Sequence, residues 1–312
     1  MKLFIHYDNN MSKKEIFKAK YHKCGEASSN LIHACLVLEG GALRGIYTQG
    51  VLDFLMEHDI NCDCVIGVSA GVLNALTYLS GQIGRSADVC FKYRFDSRYF
   101  GFKAFRKNKG FVGFDFLFHE SRKYYPFDEE RFFNPSRELI ATATNIISGE
   151  SHYFSKNKLH NDFFKAAQAS SSLALISKEV KIGNSLYLDG GYSDKIPYKK
   201  AFELGYDKVI VVKTRDATYR KEEKEIGFLL KKKFKNYPKF KELMNKSAFL
   251  ANSQYDEVEK LYKEGKIFLI EPSSPVEVFF REKNIKSLVE NYDKGYLDAS
   301  NSFDKLKEYL DR

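Results

Sequence analysis

The sequence predicts an α/β protein with a parallel sheet, on three observations. Short apolar runs at 34–38 and 64–66 are each followed by a helical pattern, at 44–58 and 70–79, so strand, helix, strand and helix succeed one another. That alternation is the pattern of βαβ units, in which crossover helices cover a parallel sheet. The run Lys-Val-Ile-Val-Val-Lys at 208–213 is apolar through its middle, as a strand buried on both faces requires. Glycine-containing turns, Gly40-Gly41 and Gly67 to Gly71, stand between a strand and the helix after it.

The elements follow in order. Residues 1–30 are polar and mixed and read as a lead-in; they show neither the apolar core nor the cleavage site of a secretory signal. In 44–58, Ile46, Val51, Phe54 and Leu55 recur at helical spacing. Residues 91–125 change character and alternate aromatic with basic side chains, as in Phe91, Lys92, Tyr93, Arg94 and Phe95. Strands are expected at 138–147 and 152–154, a helix at 162–170, and two strands at 179–182 and 185–188 joined by Gly183-Asn184. A glycine and an asparagine tolerate the positive φ that such a tight turn needs. A helix follows at 198–204. After Thr214 the composition shifts, and a strand at 266–270 with two helical stretches closes the chain. The expected organisation is a lead-in (1–30), a main domain (31–215) carrying an aromatic and basic cap (91–125), and a smaller basic C-terminal α+β region (216–312).

Composition narrows the function. The 312 residues are 44% hydrophobic and 15% aromatic, enough for a sizeable core, which excludes a disordered chain. Mean hydropathy is −0.41, and the absence of any long uncharged apolar run argues against a spanning helix. The net charge of +9 has two readings, a solvated lysine-rich surface or attraction to a polyanion. Segment 215–247 holds 11 Lys/Arg and 5 Asp/Glu, with Lys231, Lys232, Lys233 and Lys235 following Leu229-Leu230. Cys24, Cys35, Cys62, Cys64 and Cys90 are odd in number and lack paired metal-finger spacing, which points to reduced thiols and a cytoplasmic protein.

Three motifs carry chemistry. Gly67-Val68-Ser69-Ala70-Gly71 is a G-x-S-x-G between a strand and a helix. A serine on that sharp turn projects its hydroxyl outward, and the helix N-terminus behind it favours developing negative charge. Gly40-Gly41-Ala42-Leu43-Arg44-Gly45 is a second strand-to-helix loop whose backbone N–H groups suit an oxyanion, with Arg44 adding positive charge. A dinucleotide fingerprint fails there, because Ala42 occupies its second glycine, and no Gly-Lys-Ser/Thr follows to make a phosphate-binding P-loop. Asp189-Gly190-Gly191 follows a strand and can present a carboxylate to a cleft.

The histidines decide between mechanisms. All seven lie at or before residue 160, and only His119, His152 and His160 follow Ser69. A hydrolase triad in the order Ser, Asp, late His is therefore not available, and a carboxylate paired directly with serine is the economical alternative.

Taken together, Glu39 to Gly45, Gly67 to Gly71 and Asp189-Gly190-Gly191 resemble the patatin-like phospholipase family, as does Ala169-Ser170-Ser171-Ser172-Leu173. The resemblance covers about residues 33–215. Ala42 departs from it where a third glycine is usual, and Ala174 where proline is common. It implies a three-layer α/β/α fold, a Ser69–Asp189 dyad, an oxyanion hole around Gly41 and Ala42, no cofactor and no metal. The implied substrate is a phospholipid or related lipid ester. The excess charge beside the aromatics of 91–125 and in 215–247 points separately to peripheral contact with an anionic membrane, and the lack of any RRM, OB or helix-turn-helix pattern argues against a nucleic-acid partner. A general carboxylesterase or thioesterase, or an inactive lipid- or partner-binding module, is the alternative.

Overall fold

The computed structural model describes residues 19–278, 282 and 284–312, and the expected lead-in lies outside the described residues as far as residue 18. The chain first forms β1 (Gly25–Glu26), β2 (Ile32–Leu38), α1 (Gly45–Glu57), β3 (Cys62–Val68), α2 (Ala70–Leu79), β4 (Gln82–Ile83), α3 (Arg85–Tyr93) and α4 (Phe102–Asn108). There follow α5 (Glu129–Phe132), β5 (Glu138–Asn145), β6 (Ser151–Ser155), α6 (Lys156–Leu159), α7 (Phe163–Ser170), β7 (Val180–Ile182) and β8 (Ser185–Asp189). Then come α8 (Tyr198–Glu203), β9 (Val209–Val212), α9 (Phe228–Lys233), α10 (Pro238–Asn245), α11 (Ser247–Lys263), β10 (Phe268–Ile270) and α12 (Ile285–Asp311).

The main sheet runs β10-β9-β2-β3-β5-β8-β7, with β6 also on β5. Pairings from β10 to β5 are parallel, and those of β6, β7 and β8 are antiparallel. The mainly parallel sheet is thus as expected. Side chains alternate between its two faces. Leu36, Leu38, Val65, Ile210 and Val212 join a core with α1, α2 and α12. Cys35, Val37, Cys64, Ile66, Val209 and Val211 join another with Tyr198, Ala201, Tyr255 and Val258 of α8 and α11. Helices on both faces make three layers, and the apolar runs 34–38 of β2, 64–68 of β3 and 209–212 of β9 follow from burial on both sides.

Residues beyond the composition shift complete this sheet. β10 pairs parallel with β9, Phe268 opposite Ile210. α12 lies along α1, and its Tyr292 hydroxyl donates to Asp53 Oδ2 at 2.7 Å. The aromatics of the cap divide. Phe114, Phe116 and Phe118 are buried, whereas Phe95, Phe102, Phe105 and Tyr124 are exposed. Among the described residues no helix is long and apolar enough to cross a membrane.

Candidate active site

Strand register brings the two chemical motifs together. Val68, the last residue of β3, lies opposite Thr142 of β5. Asp189, the last residue of β8, lies opposite Ala143. The other edge of β5 is taken by β6, which pairs Thr142 with Tyr153 and Ala143 with His152. Hence β3 and β8 share one edge of β5 and meet end to end. Ser69 leaves the first strand where Asp189 ends the second. Gly190 is required at this junction, because a Cβ there would lie 2.1 Å from the Thr142 carbonyl oxygen.

Ser69 is buried, with φ 54° and ψ −123°, a conformation that costs a non-glycine residue about 1–3 kcal/mol. Its surroundings hold it there. The Ser69 N–H donates to Ser170 Oγ at 3.0 Å, and the Ser171 hydroxyl donates to the Ser69 carbonyl at 3.1 Å. That carbonyl also accepts the Val72 N–H at 3.0 Å, which starts α2. The hydroxyl is therefore presented at the N-terminus of a helix, where partial positive charge collects.

The Asp189 carboxyl is buried. Burial raises its pKa above the ordinary 3.8, while the Ser69 hydroxyl, the Gly191 N–H and the Lys195 charge oppose that rise. Oδ1 accepts the Gly191 N–H at 2.8 Å. Oδ2 is buried and accepts no hydrogen bond of regular geometry among the described residues. The Ser69 hydroxyl is near enough to lower the carboxyl pKa.

The glycine loop closes on the serine. A Cβ at Gly40 would lie 2.9 Å from Ser69 Cβ and 2.9 Å from the Val68 carbonyl oxygen. Ala42, Leu43 and Arg44 form a 3₁₀ turn, with Ala42 at φ 49° where the sequence departs from the usual glycine. Leu43 also lines the cleft beside Ser69, as do Ala70 and Gly45. Arg44 is partly buried; burial and the neighbouring Arg215 charge lower its pKa, and its Nε has no hydrogen-bond partner among the described residues. The loop hangs from Glu39, which is fully buried. Glu39 Oε1 accepts from the Tyr255 hydroxyl at 2.6 Å and pairs with Lys195 Nζ at 3.1 Å. Its Oε2 accepts from the Thr214 N–H at 2.5 Å and the Thr214 hydroxyl at 3.0 Å.

Beside Ser69 opens a cleft of about 1210 Å³ including its mouth, lined by Leu73, Leu76, Val89, Phe118, Phe164 and Leu173. Its walls come from α2, α3, α7 and the cap, so an apolar chain has room next to the serine. Among the described residues no histidine lines the cleft. His119 and His160 are exposed, and His152 stands on β6, across β5 from Asp189.

Sequence reasoning missed Lys195, Thr214 and Tyr255. Tyr255 lies 216 residues from its partner Glu39, and no local pattern marks the tyrosine. It also missed one grouping of potential metal ligands. His22, Cys24 and Asp88 place one ligand atom each within 4.8 Å of one another. They satisfy one another and the backbone, Cys24 Sγ donating to Asp88 at 3.3 Å and His22 Nε2 meeting the Gly84 carbonyl at 3.2 Å.

The family model of patatin-like phospholipase matches residues 36–202, more than half of the chain, and a domain of unknown function (DUF6363) matches residues 237–311. YjjU of Escherichia coli (strain K12), named an uncharacterized protein, is 29% identical over 184 residues, covering 57% of this chain and 51% of that protein. Lysophospholipase nte1 of Emericella nidulans is 27% identical over 208 residues, covering 63% of this chain and 13% of that protein. The chain therefore spans about half the length of the first and far less of the second. The crystal structure of VipD from Legionella pneumophila aligns over 97% of this chain and 72% of that one, with 13% identity and a TM-score of 0.46. On the match over residues 36–202, the chain belongs to the patatin-like phospholipase family.

Proposed function

We propose that the protein is a serine acyl hydrolase of phospholipids or related lipid esters, working through a Ser69–Asp189 dyad. The observation that carries this reading is the end-to-end meeting of β3 and β8 beneath a glycine loop packed on Ser69. Asp189 accepts the hydroxyl proton as Ser69 Oγ attacks the ester carbonyl. Backbone N–H groups at Gly41 and Ala42, with the N-terminus of α2, take up the oxyanion; one such donor is typically worth about 3–4 kcal/mol of barrier. The tetrahedral intermediate expels the alcohol, which leaves with the proton from Asp189. Water then gives a proton to Asp189 as it attacks the acyl-serine, and collapse of the second tetrahedral intermediate releases the fatty acid while Ser69 Oγ takes that proton back from Asp189.

The apolar cleft supports an acyl chain as the bound group. Catalysis is assigned to residues 31–215, and 216–312 completes the sheet and supplies Tyr255. The odd, unpaired cysteines favour a reducing, cytoplasmic setting.

The test is release of fatty acid, read by mass spectrometry, from phosphatidylglycerol, lysophosphatidylglycerol, a neutral triacylglycerol and an acyl thioester. The expected result is turnover of the phosphate-bearing esters above the neutral one, lost in Ser69→Ala. Turnover of the thioester alone makes the protein a thioesterase. No turnover of any substrate, with no labelling of Ser69 by a fluorophosphonate, leaves a binding module.

A further inference from the structure

We propose that one exposed face, running from the mouth of the cleft over Phe102, Phe105, Leu175, Phe228 and Leu229, docks the protein on an anionic lipid bilayer. These five side chains are between 45% and 76% exposed. They are contributed by three segments that touch. Phe102 and Phe105 of α4 pack on Phe111, at 5.8 and 5.0 Å between ring centroids. The Phe111 N–H donates to the Ile176 carbonyl at 2.8 Å, which joins the cap to the segment carrying Leu175. Lys233 of α9 then donates to the Ala174 carbonyl at 2.7 Å and the Ser177 carbonyl at 3.2 Å, so α9 with Phe228 and Leu229 abuts the same segment.

That middle segment also leads into the site. Ser171 holds the Ser69 carbonyl, Leu173 lines the cleft, and Leu175 points outward, all within a few residues. The docking face is therefore continuous with the wall of the cavity assigned to the acyl chain, and its purpose as a delivery surface rests on the lipid-hydrolase reading.

Charge selects the occupant. Residues 102–110 contain Lys103, Arg106, Lys107 and Lys109, and residues 228–235 contain Lys231, Lys232, Lys233 and Lys235, with no acidic residue in either stretch. Lys107, Lys231 and Lys233 form ion pairs with Asp115 and Glu120, with Glu225 and with Glu179 respectively. No ion pair is found for Lys103, Arg106, Lys109, Lys232 or Lys235 among the described residues. Exposed rings and leucines flanked by free cations are the chemistry of a protein that seats apolar tips among acyl chains and cations against lipid phosphates. An acidic protein partner matches the cations but offers nothing to several protruding apolar side chains spread over three segments.

The test is co-sedimentation of the full chain with phosphatidylcholine vesicles, with and without phosphatidylglycerol. One variant carries Phe102→Ser, Phe105→Ser, Phe228→Ser and Leu229→Ser. A second carries Lys103→Gln, Arg106→Gln, Lys232→Gln and Lys235→Gln. Each cation within a Debye length of an anionic surface raises partitioning roughly fivefold, less in high salt. The wild type is expected to bind phosphatidylglycerol vesicles at least about tenfold better than neutral ones, with each variant losing about tenfold or more. Turnover of a soluble ester reports folding and the dyad separately, and both variants should keep it. Equal binding to both vesicle types, no binding, or variants that bind like wild type would overturn the docking face. Loss of soluble-ester turnover in the wild type would instead remove the hydrolase reading.

Discussion

Glu39 is the residue on which the glycine loop hangs, and Glu39→Gln tests that directly. The carboxylate is fully buried and receives hydrogen bonds or charge from donors only: Tyr255, Lys195, and the N–H and hydroxyl of Thr214. Glutamine keeps the shape but replaces one acceptor oxygen by an NH₂, so one side of the cage then faces donor to donor. At 3.1 Å and an effective dielectric near 20, the Lys195 attraction is about 5 kcal/mol before desolvation. Breaking a buried pair costs about 3–5 kcal/mol. Lys195 is 19% exposed, so water recovers part of its charge and the lower end applies, about 3 kcal/mol. Equilibrium urea unfolding should show that loss, and in a Lys195→Met background the same substitution should cost at least about 1 kcal/mol less. Burial pushes Glu39 toward its neutral form, but Lys195, Tyr255 and Thr214 outweigh it and hold its pKa below 4.5. Its stabilisation is therefore full above the ordinary carboxyl range and is lost as pH falls through the depressed folded value. A loss below about 1 kcal/mol, or strict additivity with Lys195→Met, would refute the reasoning.

Substitutions at the dyad, at the histidines and at Ala42 separate mechanism from scaffold. Asp189→Asn should lower kcat/KM on a soluble ester by about a thousandfold or more, while His119→Ala, His152→Ala and His160→Ala stay near wild type; a histidine variant as impaired as Asp189→Asn restores a triad. Because the base works ionised and burial raises its pKa, the acid limb of kcat/KM should lie above 3.8, as a pH profile reads. Ala42→Gly removes a left-handed alanine at φ 49° and keeps its N–H, so stability should rise by up to about 1 kcal/mol with activity retained. A loss of activity there shows that the alanine side chain, not only its backbone, serves the site.

Local features were legible in the sequence because they are local. The helix at 70–79 matches its apolar spacing, and the strand expected at 208–213 is Val209–Val212 with both faces covered. The serine turn and the Asp-Gly-Gly were visible as motifs. Their meeting was not visible in spacing, since it depends on Val68 and Asp189 facing adjacent residues of β5. Only the resemblance to a family linked them. Lys195 and Tyr255 stayed hidden because a buried ion-pair cage has no sequence period. The C-terminal lysines hid something else: composition changes at 215, yet Phe268–Ile270 extends the same sheet and α12 covers α1. The aromatics of 91–125 likewise divide between core and surface in a way that periodicity does not encode.

Whether Ser69 is a nucleophile activated by Asp189 is read by reacting the pure protein with a fluorophosphonate and measuring the intact mass and the labelled peptide. One adduct, on Ser69, absent from Ser69→Ala and formed far more slowly in Asp189→Asn, is the predicted result. An adduct that persists in Ser69→Ala, or that forms at an unchanged rate in Asp189→Asn, would contradict it.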